Sequence, residues 1–367
     1  MKKIIISFAA LMYLSACTKE EIKAPLTVPT SYVSASYDAN TASEKALRTQ
    51  LADLTTEMKT SESGTALSAA KITDLFTKGT PSLKSITGAY YVGLLENELF
   101  KELINTSGKV YDPAKPNSTG GVFGARLLNS GGLETLQVIE KGLFSAAFYN
   151  YATTLMSGTV TPKTIDQLLA IYGASMAFPA TNTATKTTTP DAFGALYAAR
   201  RDKNDGNGMY SKIKSAFLKA QAATIAGTQY NAERDEAFGV IKSEWERSFA
   251  ATVIHYNFTA ITKFSTTNAP ATTLSGGLHD LGEGVGFLHG FKAVPQAQRK
   301  ITDAQIDELL VLLTNTNAGK VEMYKYTTDP STLAKIQSVS TKIQAIYGFT
   351  ATDMEDFKKN WIAEQVR

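Results

Sequence analysis

The chain has 367 residues, 43% of them hydrophobic and 19% charged, with a formal net charge of +3 and a single cysteine. That balance excludes a disordered chain, and basic residues scattered without a stripe or interleaved aromatics exclude nucleic acid as a partner. One cysteine allows no internal disulfide, so a folded body must rest on burial alone.

Lys2 and Lys3 precede an apolar run from Ile4 to Leu14, and Ser15 and Ala16 lead into Cys17. This is the order of a secretory signal, so residues 1–16 are expected to be removed and 17–40 to form a lipidated tether. The run is 11 residues long, against about 20 for a membrane span. Leu14-Ser15-Ala16-Cys17 looks like a bacterial lipobox, with Cys17 as the lipidation site. Acyl chains such as palmitate then hold the body on a membrane without a protein span. No aspartate follows Cys17, and Lys19-Glu20-Glu21 resembles a surface-export tag. The expected location is the outer membrane, on its periplasmic or cell-surface face.

From Thr41 apolar residues recur at helical spacing, beginning with Leu47, Leu51 and Leu54. Further helices are predicted near 66–78, 87–105, 131–157, 163–173, 208–226, 229–263, 279–292, 303–315, 330–346 and 351–364. Thr352 or Asp353 is the expected cap of the last. No run alternates with period two, so residues 41–367 are expected to form an all-α domain of packed helical bundles. The segment 108–132 and the Thr-rich stretches 179–190 and 265–277 read as connectors, dividing the domain into sub-bundles at about 41–180 and 190–367. Thr164–Leu169 echoes Thr302–Leu310; this is compatible with a duplicated bundle or with chance similarity between amphipathic helices.

Several charged residues stand out as candidate ligand-binding groups. Glu140 falls on the apolar stripe of its helix, so it must meet a cation or a donor; Lys141 adjoins it but faces about 100° away. All three histidines lie between His255 and His289. His279 and Glu283 are four apart and present a nitrogen and an oxygen on one face, a candidate metal pair. Gly282, Gly284 and Gly286 in the same stretch imply close helix approach or a nearby ligand. His255 shares a polar seam with Glu244, Ser248 and Thr252. Asp202–Gly208 looks like a calcium loop but has the wrong register, with Gly206 at a ligand position, and reads as a turn. No HExxH, GxSxG, Walker or dinucleotide motif is present.

Gln137–Gly142, Leu168–Gly173, Trp245-Glu246 and His279–Phe287, taken in this order and spacing, resemble an uncharacterised family of Bacteroidota-type lipoproteins, a domain of unknown function. That family is similar to the imelysin-like, iron-regulated helical proteins. The resemblance implies an all-α, imelysin-like fold and a role in iron or haem acquisition, with iron or haem as the ligand. It also implies an outer-membrane transporter or a neighbouring iron-uptake lipoprotein as partner. The imelysin GxHxxE motif is matched at Gly277-Leu278-His279, but the glutamate comes one position late, at Glu283.

The leading expectation is thus a non-enzymatic outer-membrane lipoprotein with a helical ligand-binding body using Glu140, Lys141, Glu244, His255, His279 and Glu283. One alternative is a glycan-capturing surface lipoprotein that partners a TonB-dependent transporter, with Tyr90-Tyr91 or Tyr149 and Tyr151 as platforms. The other is a zinc-peptidase-like hydrolase built on His279 and Glu283.

Overall fold

The computed structural model describes residues 23–367 apart from 113, 114, 116–118, 182 and 184. The leader and Cys17 lie outside the described residues. The segment expected as a tether is strapped to the body from Lys23 onward. Asp166 accepts 2.7 Å hydrogen bonds from Tyr32, Ser34 and Asn40, and Tyr230 donates to the Ala24 carbonyl at 2.9 Å.

The body is helical. α1 (Tyr37–Asn40) leads into α2 (Ala42–Lys59), which buries Leu47, Leu51, Leu54 and Met58 at three- and four-residue spacing. α3 (Ala69–Thr77), α4 (Leu83–Ile86), α5 (Ala89–Leu94) and α6 (Phe100–Thr106) follow. Within the expected connector 108–132, β1 (Gly121–Phe123) and β2 (Arg126–Leu128) form a small antiparallel hairpin with Val122 opposite Leu127. α7 (Thr135–Leu143) continues through a π-helical turn, Phe144–Tyr149, into α8 (Asn150–Ser157), and α9 (Pro162–Tyr172) ends at Gly173.

After the Thr-rich connector come α10 (Phe193–Arg200), α11 (Met209–Ala226) and the 34-residue α12 (Asn231–Phe264). Next are α13 (Ala271–Phe291) and α14 (Asp303–Leu313). α15 (Leu333–Tyr347), α16 (Ala351–Phe357) and α17 (Trp361–Glu364) close the chain. Among the described residues no helix is long and apolar enough to cross a membrane.

Three expectations need correction. α10 was not anticipated, because its short Ala-rich run carries no start signal. α13 begins eight residues before the expected 279: Pro270 has a fixed φ and no N–H to lose at a helix start. The cap of α16 is Thr350, paired with Asp353 in a reciprocal box, and Asn360 caps the separate α17.

The echo between 164–169 and 302–310 also has a local cause. Both helix starts carry capping boxes, Thr161 with Thr164 and Thr302 with Gln305. Thr164 therefore sits three positions into its helix where Thr302 caps the other, so the echoing segments differ in register.

One contiguous core runs from Tyr32 to Ile362. Its centre is an aromatic cluster from four helical segments: Phe144, Tyr197, Phe249 and Phe287, with Phe249 and Phe287 ring centroids 4.7 Å apart. Phe144 precedes the 179–190 connector and the others follow it, so no break in the core accompanies the expected sub-bundle division. A chain starting at residue 18 retains every core contact among the described residues.

Candidate functional site

α7 and α13 pack unusually closely. A Cβ on Gly286 would lie 2.6 Å from the Gln137 carbonyl, and one on Gly290 would overlap the backbone of Gly142. The glycines thus remove side chains where two backbones meet. This approach brings Glu134, Gln137, Glu140 and Lys141 of the α7 segment against His279 and Glu283 of α13.

The result is a buried chain of alternating charge. His279 Nδ1 lies 2.8 Å from Glu134 Oε2, and its Nε2 lies 3.6 Å from Glu283 Oε1. Lys141 Nζ sits 3.2 Å from the same Glu283 oxygen and 3.1 Å from Glu140 Oε2. Gln137, with its amide nitrogen turned to the acids, donates to Glu140 and Glu283 at 3.2 Å each. Beyond Glu134, Arg126 of the hairpin is 3.0 Å from Glu62. The Lys141 stem spans the angular gap that separates it from Glu140 on the helix, and its ammonium lies 5.2 Å from the Phe144 ring centroid.

Burial would lower Lys141, but Glu140 and Glu283 hold it well above the ordinary lysine value. Burial would raise Glu283; Lys141, then His279 and Tyr256, outweigh it and hold the carboxyl below its usual value. His279 is opposed by burial too, yet the bond and charge of Glu134, with Glu283, raise it above 6.5. Glu62 is raised by burial and by Glu134.

A raised His279 has a defined consequence for stability. The folded state holds the proton more tightly than the unfolded state, so this contribution is complete below 6.5 and is lost as pH rises through the elevated value. Urea unfolding from about pH 6 to about pH 9 is expected to show that loss. His279→Gln should remove this component of the slope; identical wild-type and variant profiles would contradict it.

The other sequence candidates lie elsewhere. His255 Nδ1 is 3.1 Å from the Phe357 and Lys358 carbonyls at the end of α16, and burial with Arg201 nearby lowers it to about 3. It is a neutral donor satisfying terminal carbonyls. Glu244 faces Arg247 at 3.5 Å and Lys212 at 3.9 Å. His289 stacks on Tyr90 at 5.8 Å. The Asp202 carboxylate accepts from the backbone of Asn204 and Ser211, as a turn does. Tyr91 and Tyr149 are buried, leaving Tyr90 as the exposed ring of the proposed glycan platforms.

A metal at His279 and Glu283 does not fit this geometry. The Glu283 oxygen nearest the imidazole already faces the Lys141 ammonium. Among the described residues no three His, Cys, Asp or Glu are grouped to hold a metal ion, so the hydrolase reading has no ligand set.

An open-sided cavity of about 780 Å³ lies outside that network, between α1–α2 and the chain flanking the Thr-rich connector. Tyr37, Ala52, Met176, Ala177 and Phe193 supply apolar wall, and Arg48 supplies a cation. Phe193, the first residue of α10, lines it with a φ of +49°. Bulky residues rarely adopt that region. Sequence reasoning missed this site because its lining comes from three separated stretches of ordinary residues. The length of the Thr-rich connector was the one available signal.

Comparison with known proteins places one boundary on the chain. Residues 171–350 match DUF4856, a domain of unknown function. No curated protein and no solved structure matches. The matched domain contains His279, Glu283 and the Phe193 side of the cavity, whereas Arg48, Glu134 and Lys141 come from outside it. Both the charge network and the cavity are therefore assembled between this domain and the preceding chain.

Proposed function

We propose that this protein is a non-enzymatic ligand-binding lipoprotein of the outer membrane, anchored through Cys17, with the cavity beside α2 as its ligand site. The observation that carries the reading is that cavity: concave, mainly apolar, with Arg48 in its lining and Phe193 beside it at a positive φ. The buried charge network, by contrast, has the Lys141 and His279 cations paired with acids of the protein and acts as a structural lock between α7 and α13. The leader and lipobox support the anchor. The resemblance alone supports an iron or haem cargo and an uptake partner.

Two measurements test this. In cells fed an alkyne fatty acid, wild-type protein is expected to be labelled and to sediment with outer membranes, and Cys17→Ala to lose both properties; unlabelled wild type would refute the anchor. The chain from residue 18 is expected to bind the neutral fluorophore N-phenyl-1-naphthylamine, and Ala52→Trp or Ala177→Trp to abolish binding by filling the cavity. Both residues are exposed, so the core is left intact. Binding that survives both fillings would move the site elsewhere. Haemin titration of the same variants tests the haem branch, which requires an absorbance change that the filled variants lose.

A further inference from the structure

We propose that the cavity beside α2 takes an amphiphilic carboxylate, its apolar body laid against Ala52, Met176 and Phe193 and its carboxylate paired with the Arg48 guanidinium. This rests on the reading of that cavity as the ligand site and names the class of ligand it recognises.

Arg48 is the central observation. A guanidinium carries five N–H donors in a planar fork suited to a carboxylate. Here one bond is made, to the Ala170 carbonyl at 3.3 Å, and the group lies 5.5 Å from the Phe193 ring centroid. Among the described residues no carboxylate lies at ion-pair distance from it, although burial disfavours its charge and lowers its pKa. An incoming carboxylate would supply a directly paired counter-charge with charge-assisted hydrogen bonds.

Of the other charges lining the cavity, Asp191 acts on Arg48 only electrostatically, from beyond ion-pair distance. Lys45 and Asp38 at the rim pair with each other at 2.5 Å. Asp191 accepts from Tyr210 at 2.8 Å, and burial raises its carboxyl to about 7, so near neutrality it carries less than a full negative charge. The wall beyond Arg48 is built from alanine, methionine and phenylalanine side chains. A small inorganic anion would leave that wall wet, whereas an acyl chain would cover it.

The test is calorimetric titration of the chain from residue 18 with dodecanoate and with dodecan-1-ol. Dodecanoate is expected to bind one per chain. Arg48→Met should weaken it about tenfold or more, as loss of a charge-assisted pair does, and Arg48→Lys should recover part of the loss. Dodecan-1-ol should bind more weakly and be indifferent to both substitutions. Thermal melts matching wild type identify folded variants. Phosphatidylglycerol carries a phosphodiester and no carboxylate, so its transfer from vesicles would overturn the carboxylate class, whereas binding of dodecanoate without such transfer upholds it. Equal affinity for acid and alcohol, or indifference of dodecanoate to both Arg48 variants, overturns the ligand class while fluorophore binding upholds the cavity. Absence of fluorophore binding overturns the cavity itself.

Discussion

Replacing Lys141 by methionine is expected to destabilise the protein by about 3–5 kcal/mol, the usual cost of stripping one partner from a buried ionic cluster. Lys141 is the cation shared by Glu140 and Glu283, at 3.1 and 3.2 Å, in surroundings that admit almost no water. Without it both carboxylates must take up protons or remain charged in a low-dielectric seam. The double variant Lys141→Met/Glu283→Gln should be less unstable than the sum of the single changes by about 1–3 kcal/mol. Urea unfolding of the four proteins measures this coupling. Strict additivity would mean that the two groups do not interact.

Gly290→Ala carries the second large effect, about 2–3 kcal/mol of destabilisation. Helix propensity alone gives the opposite sign, since alanine is favoured over glycine by about 1 kcal/mol in a helix interior. The difference comes from packing: the new methyl has no room against the Gly142 backbone on α7, whose own missing side chain makes way for the Tyr91 hydroxyl. That hydroxyl donates to Val138 at 2.5 Å, so the backbone cannot retreat without breaking a buried bond. Gly239 on α12 is the control. Nothing lies within 4 Å of a Cβ there, and Gly239→Ala should stabilise by about 0.5–1 kcal/mol. Thermal unfolding of the two variants should shift in opposite directions; parallel shifts would contradict the close-packing account.

These glycines also mark what was legible in the sequence. Of Gly282, Gly284 and Gly286, Gly286 meets the expected close approach and Gly282 lies against Glu134, while Gly284 faces Val253 at ordinary contact distance and Gly290 was not singled out; Glu140 finds its buried partner in Lys141. His279 and Glu283 share a face as their spacing requires. Glu134, which binds His279 from 145 residues away, was invisible because nothing in a linear pattern reports which helices touch. The histidine cluster misled for the same reason: His255 is close in sequence to His279 but turns to the end of α16. Helical periodicity located most helices, and it failed at α10 and at the start of α13, where alanine, threonine and serine leave the apolar stripe faint. The cavity was the least legible feature. Arg48 reads in sequence as one more solvated charge on an amphipathic helix, and only the packed chain sets its guanidinium, bonded to the Ala170 carbonyl, beside the Phe193 ring and without a directly paired carboxylate.

Crystals of the chain from residue 18 soaked with 12-bromododecanoate give the most direct measurement, because the bromine locates the ligand independently of any interpretation of weak density. The predicted result is an anomalous peak along the Ala52–Met176–Phe193 wall, with the carboxylate on Arg48. A peak at the His279–Glu283 network instead, or no peak in the cavity at a soak that saturates the protein in solution, would contradict it.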